Sequence, residues 1–501
     1  MLKSHWPFGL LLGVHLLVGA LFAINTPAWQ APDEPAHYNY IRQLADGRFP
    51  IMNNSDYDQA YISEVIGSRF DPSYDIEPFS YEDYQPPLYY LVQTPIFMVS
   101  GGSLIAMRLF GVVMGGITIT LYYILLLSLP QIFQLDGRRY RSLPLGPSTR
   151  FLPLIFFAFL PQHIALQASV NNDSLTELLI AASLLFLAFQ IRAWVSDGRY
   201  SVSEDSQVNT GYRSSAASSS PHLRVSPSPY LQILLGLCLL TKVTAYLVVP
   251  IAGLAMIWAL GWSRPVRLIR EGFKLFLLPF LIGTLWWGRN LAVYGWPDFL
   301  GIEAHDLAVV GQPTTELWIA QFGASEVLRR FMLTSFQSFW GQFGWMGVLM
   351  PSWAYQSLAL FSALVFVGFL LTVIRSNRRQ KGREMVFGIV ASSAAGKSDQ
   401  SRQKLDGNQG LSIVHRSFLA LFLLNLSLYL VYNLTFVQHQ GRYLFASLIP
   451  ISYAVGMGIY FWFQIARLEK LIKPALILFA LALIGLNLFS LFRLIVPQLT
   501  I

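Results

Sequence analysis

The chain has 501 residues, 54% hydrophobic and only 12% charged, with a mean hydropathy of +0.48. A soluble domain carries about twice that charge, so the composition excludes a soluble globular protein and reads as a polytopic membrane chain. The formal net charge of +8 does not point to nucleic acid, because the basic residues gather in short loops between apolar spans, and the single cysteine, Cys238, excludes a disulfide framework.

A membrane span needs about 20 mostly apolar residues. The first candidate runs from Trp6 to about Ile24, behind Lys3. It carries His15 and lacks a clean small-x-small cleavage site, so it reads as a retained span rather than a signal peptide. The polar segment 25–103 follows. It is rich in Asp, Glu and Tyr and poor in Lys, which assigns it to the outside. Near its start lies WQAPDEPAHYNYIRQ (29–43). Pro35 suits a first helical turn and Gly47 a stop. Asp33 and Glu34 then stand at a helix N-terminus, with His37 about one turn later. The plainer reading is that one of the acids only caps the helix. Asp56-Tyr57-Asp58 reads as a solvated loop. The segment ends in YEDYQPPLYYLVQTPIFMVSGG, whose apolar part, Leu88–Val99, is too short to span and predicts an interfacial helix.

The second span (about Leu104–Leu129) leads into Arg138, Arg139 and Arg141. The third (about Phe151–Ala168) emerges at Asn171-Asn172-Asp173, and the fourth (about Leu175–Ala193) returns. The Ser-rich stretch 196–229 predicts a disordered cytoplasmic loop. Tyr230–Leu240 and Ala245–Trp262 form a hairpin around Thr241-Lys242-Val243-Thr244. Arg264, Arg267, Arg270 and Lys274 mark the inside again. The seventh span (about Leu275–Val293) carries Arg289 and Asn290 near its outer end. The second outer segment, 294–351, includes the aromatic run Ser338–Trp353, which reads as an interfacial belt more than as an acceptor groove. Ala354–Ile374 precedes a basic, low-complexity cytoplasmic loop, 375–416. Ser417–Phe436 reaches Gln438–Tyr443 outside, Leu444–Ile465 returns, and Ala475–Leu494 is last. About eleven spans result, with every Arg/Lys-rich loop on one side and the N-terminus cytoplasmic.

Ionisable residues at the edges of apolar spans are costly and usually functional. Lys242, Arg289 and Arg442 all fall at outer ends, on the side that also holds Asp33, Glu34, His37 and Asp173. The cations would hold a phosphate and neutralise charge developing on it as it leaves. A carboxylate would take a proton from an attacking hydroxyl. Together these describe glycosyl transfer from a lipid-phosphate sugar at a membrane face.

These residues resemble the GT-C superfamily of integral-membrane glycosyltransferases, in the bacterial branch related to protein O-mannosyltransferases and the lipid A aminoarabinose transferase. Pro32-Asp33-Glu34 with His37 is similar to the family's first-loop acidic motif, and Gln85-Pro86-Pro87-Leu88-Tyr89-Tyr90 to its interfacial helix. Arg108-Leu109-Phe110 resembles the start of its second span, and Asn171-Asn172-Asp173 its polar turn. Leu240-Thr241-Lys242, Trp286-Trp287-Gly288-Arg289-Asn290 with Tyr294-Gly295, and Gln440-Gly441-Arg442-Tyr443-Leu444 complete the set. The resemblance implies an all-α GT-C-type bundle over the whole chain. It implies Asp33 as catalytic base, with Glu34 assisting or substituting. Lys242, Arg289 and Arg442 would lie at the donor phosphate, and His37, Gln85, Asp173 and Tyr443 around the substrate. Relatives often carry a His-Lys pair before Pro-Pro-Leu, where this chain has Tyr84-Gln85, so its donor contacts would differ.

The implied partners are a polyprenyl-phosphate sugar donor, an acceptor that is a lipid, glycan or protein, and membrane lipids. The implied place is a bacterial-type inner membrane with an extracytoplasmic site. The adjacent acids look like the metal-independent branch. His37 and Glu34 could offer a divalent ion two ligands, too few for a site, and no cofactor is indicated. The alternative function is a transporter or flippase of lipid-linked sugars, for which related halves with matching broken helices would be expected.

Overall fold

The computed structural model describes residues 5–133, 143, 145–210, 227–391 and 399–501, with side chains described except at 197–210, 376–391 and 399–408. Eight helices among them are long and apolar enough to cross a membrane: Trp6–Asn25, Leu104–Ile132, Asp173–Ser196, Val243–Leu260, Ser352–Arg375, Gln409–Thr435, Gly441–Ile465 and Glu469–Leu499. This is the all-α, multi-pass architecture read from the composition.

The other expected spans take different forms. The third is two short helices, Phe151–Phe159 and Pro161–Gln167, broken at Leu160. Leu160 is extended (ψ 119°), as the residue before a proline prefers. Pro229–Leu239 has only 11 residues, about 16 Å of helix. Pro265–Tyr294 has 30 residues, but its apolar part is bounded by Lys274 and Arg289. The stretch to Thr210, where the sequence predicts a disordered loop, continues the helix Asp173–Thr210. Extending a helix already fixed by packing needs no new nucleus. Positions 211–226 and 392–398 of the two low-complexity loops, and Arg138, Arg139 and Arg141, lie outside the described residues.

Helices Leu104–Ile132 and Asp173–Thr210 pack along each other at the centre, and Ser352–Ala391 packs on Leu448–Ile465. The second pair meets backbone to backbone. A Cβ on Gly458 would collide with the Val365 carbonyl, and one on Gly368 with the Gly458 carbonyl. Close approach at small residues is how apolar helices gain dispersion contact where no hydrophobic effect drives them together. Within the bundle, His163 Nε2 meets Glu177 Oε2 at 2.5 Å, and Gln167 donates to the same oxygen at 2.8 Å.

The two long polar segments share one hydrophobic core. Ala36, Met52, Val65, Phe70 and Phe79 from the first pack with Ala308 and Val309 from the second, and Trp345 joins them. Trp345 donates its indole N–H to the Trp29 carbonyl at 2.9 Å. Both segments therefore lie at the same end of the bundle. The aromatic run 338–353 corrects the belt expectation. Trp340, Phe343 and Met350 are buried, and Trp353 is exposed. The two-stranded turn Gln342–Phe343 with Val348–Leu349 folds most of the run inward, so its rings fill the core instead of facing an interface.

Candidate active site

The helix Glu34–Ala45 begins where the sequence places it, with Pro35 in its first turn and Gly47 at positive φ beyond its end. Asp33 occupies the N-cap position, yet its side chain makes no capping hydrogen bond. Its backbone is left-handed (φ 68°), a conformation Asp tolerates better than most residues. The carboxylate instead accepts from Arg442 Nη2 at 2.5 Å and from the Tyr81 hydroxyl at 3.1 Å. The capping role is thereby set aside for Asp33.

Glu34 points elsewhere. It is fully buried and receives Arg108 through two bonds, Nε to Oε1 at 2.8 Å and Nη2 to Oε2 at 2.6 Å. The Val170 amide adds a third at 3.1 Å. Arg108 also donates to the carbonyls of Ala23, Thr26 and Pro27. Both carboxylate oxygens are thus committed to tying the first two spans and the Asn171 turn together. Glu34 positions the neighbouring acid and does not share its exposure. Asp33 keeps 25% of its side-chain surface exposed, against 0% for Glu34.

Around Asp33 the structure gathers four of the expected residues. Lys242, in an extended link between the helices Pro229–Leu239 and Val248–Leu260, donates to Asp173 Oδ1 at 2.6 Å. His37 meets the Tyr90 hydroxyl at 2.9 Å, and Asn172 reaches the same hydroxyl at 3.4 Å. Arg442 sits in the turn Gly441–Ser447. Gly441 lets that turn lie directly on the helix Ala324–Trp340, because a Cβ there would strike the Ser335 carbonyl and the Phe339 amide. Arg442 is 6% exposed, and its Nε and Nη1 meet no acceptor among the described residues. A buried guanidinium with donors to spare is a ready seat for an anion.

Arg289 has a different set of contacts. It lies against the rings of Phe49, Trp286 and Tyr294 and donates to Asn290, Tyr294 and the Pro50 carbonyl. Its contacts fasten the first polar segment to the helix Pro265–Tyr294. It makes no hydrogen bond to the partners of Lys242 or Arg442 described above, and the aromatic rings beside it hold its cation in place. Gln85 is buried at the end of the turn that carries Tyr81 and donates to the Tyr84 hydroxyl at 3.0 Å. Tyr443 has its ring 5.6 Å from the Arg442 guanidinium.

Glu82 belongs to this site, and motif reading passes over it. The turn 80–88 runs between helix Glu34–Ala45 and Lys242: Tyr40 donates to the Gln85 carbonyl at 3.1 Å, and the Leu88 amide to the Leu240 carbonyl at 2.9 Å. Glu82 Oε2 is buried without a hydrogen-bond partner among the described residues. Burial, then the nearby charge of Asp33, pushes its carboxyl up to about 8, against Lys242, Gln85 and Arg442. Burial is also the largest single influence on Asp33 and acts in the same sense, but Arg442, His37 and Tyr81 together outweigh it and hold the carboxyl below its ordinary value. His37 is pushed down to about 3, mainly by burial, so its ring is neutral. The sequence signal for Glu82 is only its place in an aromatic turn before Pro86-Pro87.

Asp58 caps the helix Gln59–Gly67 and Asp56 accepts from the Asn53 amide, so the Asp-x-Asp triplet serves local structure. Among the described residues, no group of three or more His, Cys, Asp or Glu side chains is placed to hold a metal ion. A surface cavity of about 430 Å³ is lined by residues between Pro297 and Leu307 and includes none of the expected site residues. Comparison with known proteins gives no match to a family model, a curated protein or a solved structure.

Proposed function

We propose that the chain is a membrane glycosyltransferase of GT-C type, moving a sugar from a polyprenyl-phosphate donor to an acceptor hydroxyl at the extracytoplasmic face of a bacterial-type inner membrane. The observation that carries this reading is the buried Arg442, which spends one donor on the partly exposed Asp33 and keeps two without acceptors. Lys242 and His37 lie in the same electrostatic neighbourhood.

In the reaction the acceptor oxygen bonds to the anomeric carbon while the bond from that carbon to the phosphate oxygen breaks. The electron pair leaves with the phosphate, and the hydroxyl proton passes to Asp33. Attack opposite the leaving group inverts the anomeric centre. Arg442 and Lys242 offset the charge that builds on the phosphate. A free Asp33 paired with Arg442 is a weak base. A bound phosphate that draws Arg442 toward itself loosens that pair and raises the basicity of Asp33 when it is needed.

The test is consumption of a panel of polyprenyl-phosphate sugars by the purified protein in lipid, with Asp33→Asn alongside. A donor consumed by the wild type and spared by the variant supports the reading. Labelled lipid crossing the bilayer equally well with both proteins, and no donor consumed, replaces it with a flippase.

A further inference from the structure

Three acids lie among the cations of this site: Asp33 is paired with Arg442 and Asp173 with Lys242, whereas Glu82 is paired with neither. Tyr81 gives its hydroxyl to Asp33, and the next residue, Glu82, is brought by the same turn to the Lys242 side. Charged groups acting on Glu82 are Asp33, Lys242 and Arg442. The phenols in its electrostatic reach are Tyr81, Tyr84 and Tyr90 from the first polar segment, and Tyr432 and Tyr443 from beside the Arg442 turn. Glu82 thus sits among phenols and cations with an orphaned carboxyl oxygen.

An ionised carboxylate at that place would repel a phosphate held by Lys242 and Arg442. A protonated one would donate a hydrogen bond to it, and an arriving anion favours the protonated form. We propose that Glu82 is a ligand-holding residue of this site that meets the donor phosphate as a neutral carboxylic acid and donates a hydrogen bond to a phosphate oxygen. The inference rests on the reading of Lys242 and Arg442 as the phosphate seat.

It predicts that phosphate binding takes up a proton. The probe is a prenyl methyl phosphodiester, which stays singly charged across the working range. Its affinity for the purified wild type should fall about tenfold between about pH 7 and about pH 9, with proton uptake measured calorimetrically in two buffers. Glu82→Gln should bind with one affinity at both pH values. Asp83 titrates in the same range but answers to Gln43, Asp56 and Arg289, so Asp83→Asn should keep the wild-type profile. A wild-type affinity that is flat with pH and takes up no proton overturns the proposal without any variant. So does a Glu82→Gln profile that still falls tenfold. If the wild type does not bind the diester, or binds it unchanged after Lys242→Ala and Arg442→Ala, the phosphate seat itself is wrong and the inference falls with it.

Discussion

The carboxylate of Asp33 and the guanidinium of Arg442 are hydrogen-bonded across 409 positions of sequence. Asp33→Asn tests what that carboxylate does, because Asn is the other residue at ease with φ near 68°. We expect transfer to fall by about 10²–10⁴-fold, the usual contribution of a general base. The melting temperature should change little. An equal loss of activity and fold would make Asp33 a structural residue.

Glu34→Gln should behave in the opposite way. Removing one partner of a buried ion pair leaves the other charge uncompensated and costs about 3–5 kcal/mol. The expected result is a large drop in melting temperature and yield, greater than for Asp33→Asn. Glu34→Gln combined with Arg108→Met should recover part of that loss.

The two cations separate in the same experiment. Lys242→Ala should raise the KM for donor about tenfold or more, the scale of one charge-assisted hydrogen bond. Arg289→Ala should leave KM near wild type and lower the melting temperature, since its partners are the rings of Phe49, Trp286 and Tyr294. A KM effect at Arg289 equal to that at Lys242 would restore it to the phosphate site.

Asp83 gives a stability test. Burial, which is the main cause, pushes its carboxyl from 3.8 up to about 8, while Gln43 donates to it at 2.8 Å. The folded state therefore keeps a proton that the unfolded state loses. The contribution is complete in acid, below the unfolded value, and is lost as pH rises toward about 8. Asp83→Asn should accordingly gain stability relative to wild type between about pH 5 and about pH 8, on the order of 4 kcal/mol. Melting curves at the two pH values measure it, and a gain that shrinks toward high pH would contradict the sign.

Gly458→Val should loosen the contact between Ser352–Ala391 and Leu448–Ile465, because a Cβ there meets the Val365 carbonyl. Overpacking of this kind costs about 1–3 kcal/mol. The change should appear as a lower melting temperature with KM for donor unchanged.

Lys242 and Arg442 are legible in the sequence because each breaks or borders an apolar run, where an ionisable group is expensive, and Asp33 and Asp173 because they fall on the same side as these cations. The same rule singles out Arg289 without saying which ring or anion offsets the cost there. It passes over Glu82 entirely, since a carboxyl inside a polar segment looks affordable until the turn 80–88 buries it. Glu34 and Asp33 are neighbours in sequence with opposite duties, and only the direction of each side chain separates them. Among the described residues eight helices are long and apolar enough to span, against about eleven expected, because a twenty-residue window averages over the break before Pro161, a helix that stops after Leu239, and the charges that bound the apolar part of Pro265–Tyr294.

The core that joins the two polar segments also orders events during synthesis. Met52, Phe70 and Phe79 are made well over two hundred residues before Ala308, Val309 and Trp345, which complete their packing. Until the later segment is made, the first is an unfinished shell, and its Asp33 waits about a hundred residues longer for Arg442. A chain released early therefore exposes an apolar patch and lacks the arrangement around Asp33.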